Sequence, residues 1–289
     1  MTILPVISPK GGEGKSTFAA YLAGFLADAG LKTLLVDEDW SQPTASSIYP
    51  LIQEAPYGIF ELLMYQASPE QTISHSAIEN LDIIYSNDPN ELLPTSMLHA
   101  ADGRLRLRNI LLQPPFTTYD AIIVDSKGAT GVMTELAILS STGNVMGVVK
   151  PILPDVREFI RGSLHMLGRL SGFEQYGIPL PTISILVNCV ENTMLDSEAI
   201  DSLSDIITNK KYDTSILGDR DIYRVLETRV ELLEVFKLGH VRSQPVHRLE
   251  YKTQRKGLAA AVTMHRMACE LFPEWTALFD DVLVREVRA

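Results

Sequence analysis

Six predominantly apolar runs, at positions 3–7, 33–36, 81–85, 121–124, 145–149 and 182–187, recur along the chain with helix-length segments between them. A strand exposed on one face would alternate strictly, so short runs that are apolar at most successive positions predict parallel strands covered on both faces. Between the first two runs, Phe18, Leu22, Phe25 and Leu26 fall on one helical face, and Gly30 provides the stop. Strand, loop, helix and strand in that order form the βαβ unit of a nucleotide-binding sheet. The segment 42–80 is helical in character but broken by Pro43, Pro50, Pro56 and Pro69, which predicts short helices over one sheet edge. Pro114-Pro115 marks a loop before the run at 121. With no internal repeat and no linker, the pattern predicts one α/β domain over residues 1–289: a mostly parallel, twisted sheet flanked by helices.

Composition narrows the class. A chain of 289 residues, 46% apolar, can bury a large core. No apolar stretch approaches the roughly 18 residues of a membrane span, and the first strand begins without a basic, apolar leader, so a cytosolic protein is expected. Cys189 and Cys269 form no C-x-x-C pair, which argues against a disulfide framework, a zinc site or an iron–sulfur cluster, and predicts two buried packing residues. The net charge of −11 disfavours polyanions globally, so any such contact must be local.

Candidate chemistry begins directly after the first strand, at Pro9-Lys10-Gly11-Gly12-Glu13-Gly14-Lys15-Ser16-Thr17. Glycines here permit positive φ and close backbone approach, so that successive N–H groups and the following helix N-terminus can surround a di- or triphosphate. Lys15 would reach the β- and γ-phosphates, and the Ser16 hydroxyl would hold Mg²⁺. The pattern G-x-x-x-x-G-K-[ST] wants glycine where the chain has Pro9. A second lysine, Lys10, accompanies that departure. Asp37 and Asp39 end the second strand at the carboxyl edge, where an open parallel sheet binds its ligand. At alternate positions of an extended chain their side chains point to opposite sides, so they serve different roles. Asp125 ends the run at 121, where a carboxylate can hold a Mg²⁺ water while the strand stays dry. Asn188 ends the run at 182, and its amide offers a donor and an acceptor suited to an adenine edge.

Lys10-Gly11-Gly12-x-Gly14-Lys15-Ser16 resembles the deviant Walker A loop of the ParA/MinD group of ATPases, and the resemblance extends over nearly the whole chain, through the strand-end acids to the late run Gln244-Pro245-Val246. It implies a P-loop NTPase of the SIMIBI type, with ATP and Mg²⁺ as cofactors and residues 10–17 around the nucleotide. In that family the extra lysine crosses a dimer interface, which assigns Lys10 beside Lys15 to the transition state. Asp37-Glu38-Asp39 resembles the family motif D-x-D-x-Q, implying that Asp39 activates water and Asp37 supports the Mg²⁺ shell with Ser16 and Asp125. Trp40-Ser41 put Gln42 one residue later than usual. The loop 126–131 resembles a γ-phosphate sensor, in which Lys127 has no assigned role. At Asn188 the family reads the base. Glu13, at the variable loop position, is expected either to face a dimer partner or to be solvated.

Residues 220–266 carry ten basic side chains against five acidic ones, within a C-terminal helical part expected over 220–289. The local excess suits sequence-independent contact with DNA phosphates. Candidates are Arg220, Arg224, Arg242, Arg248, Lys252, Arg255 and Lys256. The resemblance is closest to small Soj-like partition ATPases, which implies an ATP-dependent homodimer binding nonspecific double-stranded DNA at the nucleoid, stimulated by a ParB-like centromere-binding protein. Two rival classes are a MinD-like membrane-positioning ATPase, against which the run 275–288 lacks a lysine-rich face, and a small-molecule ligase of the dethiobiotin-synthetase type, against which Lys10 and the basic segment both argue.

Overall fold

The computed structural model describes residues 1–286 except 9, 89, 129 and 130. Pro9, two residues of the loop 126–131 and positions 287–289 therefore lie outside the described residues. The nine strands described, β1 (Thr2–Ile7), β2 (Thr33–Asp37), β3 (Leu51–Gln53), β4 (Ser74–Ser76), β5 (Leu81–Ile84), β6 (Ala121–Asp125), β7 (Asn144–Val149), β8 (Thr182–Val190) and β9 (Tyr223–Glu231), form one sheet. Its order is β3-β4-β5-β2-β6-β1-β7-β8-β9, parallel except where β4 meets β3 and β5. All six apolar runs are strands of this sheet, five of them central and β5 next to the antiparallel end.

Strand parity divides the core. Leu4 and Val6 of β1, Ile123 of β6 and Val148 of β7 face one cluster, while Ile3, Ile122, Val124 and Val145 face the other side, as successive side chains of a strand must. Helix α1 (Lys15–Asp28) lies on the first face and is buried nearly all round, because the C-terminal helices cover it in turn. The other helices are α2 (Thr44–Ser47), α3 (Ile59–Leu63), α4 (Leu92–His99), α5 (Arg106–Leu111), α6 (Val132–Ser140), α7 (Leu153–Leu170), α8 (Met194–Thr208), α9 (Glu234–Arg242), α10 (Ala260–Leu271) and α11 (Thr276–Glu286).

Two expectations are corrected. The segment 42–80 holds not only short helices but also β3 and β4, three-residue strands too short and too polar to show a period, formed because the edge of β5 offers hydrogen bonds. The part from 220 onward is not all helical, since it opens with the nine-residue edge strand β9. Buried Tyr223, Leu226, Thr228 and Val230 are interleaved there with exposed Arg224, Glu227 and Arg229. Charge on an edge strand also discourages pairing with another chain.

Topology places the site. The chain leaves β1 toward β2 on one side and later crosses from β6 past β1 to β7 on the other, so the direction of winding reverses beside β1. Ligands of open parallel sheets bind at that reversal, outside the carboxyl ends of the strands. Register does the rest: Asp37 stands opposite Asp125, and Val6 is paired to both Asp125 and Met146.

Candidate functional site

The loop after β1 turns through Gly12 (φ +81°) and Gly14 (φ +94°), a region that favours glycine. Gly14 is constrained twice, since a Cβ there would stand 2.4 Å from Asn188 Nδ2. Asn188 reaches the loop as its brace: Nδ2 donates to the Glu13 carbonyl at 2.7 Å. It therefore touches the loop backbone while also lining a cavity of about 340 Å³ with Phe18, Cys189, Phe236 and His240. His240 bonds Thr17 Oγ1 at 3.0 Å, and burial lowers its pKa. Cys189 lies at φ +60° beside this cavity; it and Cys269 are partly exposed rather than buried, because both border open cavities.

The two loop lysines have different surroundings. Lys15 is buried, with Nζ 2.5 Å from Asp125 Oδ1 and 3.2 Å from Ser16 Oγ. Lys10 is half exposed, and its Nζ lies 2.8 Å from Asp155 Oδ1 at the start of α7 and 4.0 Å from Glu13 Oε1. The hydrogen bond it donates to Asp155 raises the Lys10 pKa and keeps it charged. Glu13 is neither solvated nor turned outward: it is buried, and Oε2 accepts from the Lys150 N–H at 2.9 Å. Burial raises its pKa against the pull of Lys150.

Acids converge below Lys15. Asp37 is fully buried, and both its oxygens are engaged: Oδ1 accepts from Asp39 N at 3.0 Å, and Oδ2 from Ser46 N at 2.9 Å and Ser46 Oγ at 2.8 Å. Its carboxylate thus fixes the loop that follows it instead of standing open for a metal shell. Burial, then the nearby Asp125, pushes its pKa up to about 7. Burial also raises Asp125, opposed by the Lys15 ammonium. Glu38, which the motif match passes over as its variable position, is fully buried with no hydrogen bond to either oxygen among the described residues. Burial, then the nearby Asp125, raises its pKa well above the ordinary carboxylate value, opposed by the Lys15 ammonium. Asp39 is only partly buried, accepting on Oδ1 from Ser41 Oγ at 2.6 Å and Gln42 N at 3.3 Å.

The arrangement fits Mg²⁺ in kind. Among the described residues no three His, Cys, Asp or Glu side chains form a ready metal cluster, but Asp125 Oδ2 is buried without a partner beside Ser16. Magnesium commonly takes one or two protein oxygens and completes its shell with phosphates and water, so a sparse donor set suits it.

The basic candidates are dispersed. Arg220 pairs with Glu174 at 2.7 Å, Arg224 donates to Ser184 Oγ and the Glu270 carbonyl, Arg248 pairs with Asp28, and Arg255 pairs with Glu250. Arg242, Lys252 and Lys256 are exposed and carry no ion pair among the described residues. Arg248 belongs to a staple: it and His247 both bond Asp28 at the end of α1. Burial raises the Asp28 pKa, but the hydrogen bonds from His247 and Arg248 outweigh it and hold the carboxyl below its ordinary value. Asp28→Ala is therefore expected to cost about 2 kcal/mol of folding stability, since hydrogen bonds to a partly buried charge are removed. The lowered pKa makes that contribution full above the ordinary carboxylate range and lost as pH falls through it. Denaturant melts of both proteins should differ at pH 7 and draw together as pH falls below the ordinary carboxylate range toward the lowered Asp28 value; equal stability at pH 7 would remove the staple.

The family model described as an AAA domain matches residues 1–151. Among curated proteins, the chain is similar to the chromosome-partitioning ATPase Soj of Treponema pallidum, 32% identical over 131 residues, 45% of this chain and 50% of that one. It is also similar to the tyrosine-protein kinase YwqD of Bacillus subtilis, 37% identical over 91 residues, 30% of this chain and 38% of that one. The chain spans about half the length of the curated relatives it matches. Among solved structures, the ATP complex of a McdA variant from Cyanothece has a TM-score of 0.67 at 18% identity, covering 98% of this chain and 95% of that one, which shows the fold.

Proposed function

This chain belongs to the ParA/MinD-type ATPases, and from that premise we propose that it binds and hydrolyses ATP with Mg²⁺ as an ATP-dependent homodimer that partitions DNA. The observation that carries this reading is the pair of lysines on one phosphate loop, Lys15 turned inward to Asp125 and Lys10 held at the surface by Asp155. A single P-loop needs only the inner one.

In this reading residues 10–17 wrap the triphosphate, with backbone N–H groups and the α1 N-terminus supplying positive potential. Lys15 leaves Asp125 for the β- and γ-phosphates, which frees that carboxylate to hold Mg²⁺ with Ser16. Mg²⁺, when bound there, would supply positive charge against the charge that develops on the phosphates. Asp37 supports from behind, fixing the loop through Ser46. Asp39 orients the attacking water, for which its Oδ2 has no other hydrogen bond among the described residues. Asn188 and the cavity beside it take the base.

Nonspecific double-stranded DNA as partner rests on Arg242, Lys252 and Lys256, the exposed candidates with neither an ion pair nor a side-chain hydrogen bond among the described residues. Stimulation by a ParB-like protein and nucleoid association follow from likeness to Soj, the chromosome-partitioning ATPase. A MinD-like membrane role is less favoured. In α11, Phe279 and Val282 turn inward to the core, with Phe279 5.6 Å from Phe25 between ring centroids.

The discriminating experiment measures ATP turnover alone, with duplex DNA, and with DNA plus a candidate centromere-binding protein. Stimulation by the last mixture and ATP-dependent gel shifts are expected; flotation on liposomes without a gel shift would overturn the DNA reading. Replacing Arg242, Lys252 and Lys256 together by Ala should lower the slope of log affinity against log salt by about 2.7, at roughly 0.9 for each phosphate no longer neutralised. An unchanged slope would move the DNA site elsewhere.

A further inference from the structure

Neither Trp40, in the insertion that delays Gln42, nor Lys127, just beyond Asp125, has a role in the nucleotide site as described. The fold brings them together. Lys127 Nζ lies 3.9 Å from the centroid of the Trp40 ring, within cation–π range. Adjacent pairing of β2 and β6 explains the meeting, since Asp37 and Asp125 are opposite one another and the two loops leave the sheet side by side.

Several contacts make this more than a surface accident. The indole packs against the core cluster of Val36, Ile59, Leu62 and Met133. Its Nε1–H is buried without an acceptor among the described residues, so stacking and packing, not a hydrogen bond, hold the ring. Ser41, which stands with Trp40 between Asp39 and Gln42, donates to Asp39 Oδ1. The loop of Lys127 in turn abuts the phosphate loop, where a Cβ at Gly128 would lie 3.6 Å from Gly11 N.

We propose that Trp40 and Lys127 are positioning residues for Asp39: the indole seated on the core and capped by the Lys127 ammonium sets where the Asp39 carboxylate stands above the phosphate loop. This rests on the reading of Asp39 as the group that orients water. The insertion is then the support of that carboxylate, not an interruption of its motif. Because Lys127 is tied to the loop that meets the phosphates, a triphosphate seated there and the water-orienting group share one mechanical link.

The test compares Lys127→Met, Trp40→Leu, their combination and Trp40→Phe in the full chain, each checked for an unchanged melting temperature. Each of the first two should lower kcat about tenfold, the rate equivalent of about 1.4 kcal/mol, while KM for ATP and affinity for a fluorescent ATP analogue stay within about twofold. The combination should be no slower than the worse single variant, because both act through one contact. Trp40→Phe, which keeps an aromatic face, should restore most of the rate. Multiplying losses in the double variant, a KM effect without a kcat effect, or wild-type kcat in Lys127→Met would each overturn the proposal. Should Trp40→Leu fail to fold, Lys127→Met alone decides, since Lys127 is not a core residue. Asp39→Ala separates the premises: wild-type turnover there sinks the water-orienting role itself, whereas lost turnover there with wild-type Lys127→Met sinks only the positioning pair.

Discussion

Lys10→Ala is expected to lower ATP turnover by about a thousandfold while a single subunit still binds nucleotide. The size follows from what a cation contributed across an interface adds in other phosphate-hydrolysing switches, on the order of 10³ to 10⁵. Its location follows from the geometry: Lys10 is half exposed, outside the buried pair of Lys15 and Asp125, so its loss leaves the inner phosphate contacts intact. In the free chain its Nζ is held at 2.8 Å by Asp155. To meet a phosphate on a second subunit it must exchange that carboxylate for the new anion. Dimerisation as proposed would therefore compete with an internal ion pair, and Asp155→Ala should form the ATP dimer at lower protein concentration. Sedimentation velocity with ATP, read beside turnover, checks both halves. Unchanged sedimentation and unchanged turnover in Lys10→Ala would remove the deviant-loop assignment.

How far such roles can be read from sequence depends on whether the signal is local. The phosphate loop and the acids at the ends of β2 and β6 are local: glycine spacing and apolar runs ending in a carboxylate mark them before any fold is known. Strand β9 was concealed because its outward positions hold arginine and glutamate, so a count of charges masked an alternation in Leu226, Thr228 and Val230 that burial makes plain. The basic segment shows the converse error. Arg248 and Arg255 look available in a linear tally, yet each is bonded to a carboxylate, Arg248 to one 220 residues away in sequence, Asp28. Lys10 with Asp155, Glu13 with Lys150 and Lys127 with Trp40 are likewise pairings that only the sheet order creates. Glu38 was invisible for another reason. Nothing in a D-x-D spacing says that the middle side chain turns inward toward Asp125 and Lys15.

Asp39→Ala should separate binding from chemistry, leaving a nucleotide-loaded dimer that stays on DNA while turnover falls by roughly 10² to 10⁴, the range a positioned general base contributes. The three consecutive acids make this variant informative, because each has different surroundings. Asp37→Ala would leave Ser46 and the Asp39 amide without their acceptor in a fully buried place, so any loss of activity there would be mixed with loss of structure. Glu38 is fully buried, and burial disfavours its charged form, so it is poorly placed to activate water. Asp39 alone is partly exposed, and its hydrogen bonds, from Ser41 and the Gln42 amide, stay within its own turn. Its removal should therefore leave the melting temperature close to the parent's while abolishing release. Nucleotide content after gel filtration, DNA retention at moderate salt and phosphate production measure the three parts separately. Retention without turnover assigns the water to Asp39, whereas parental turnover would pass the role to another residue at this sheet edge.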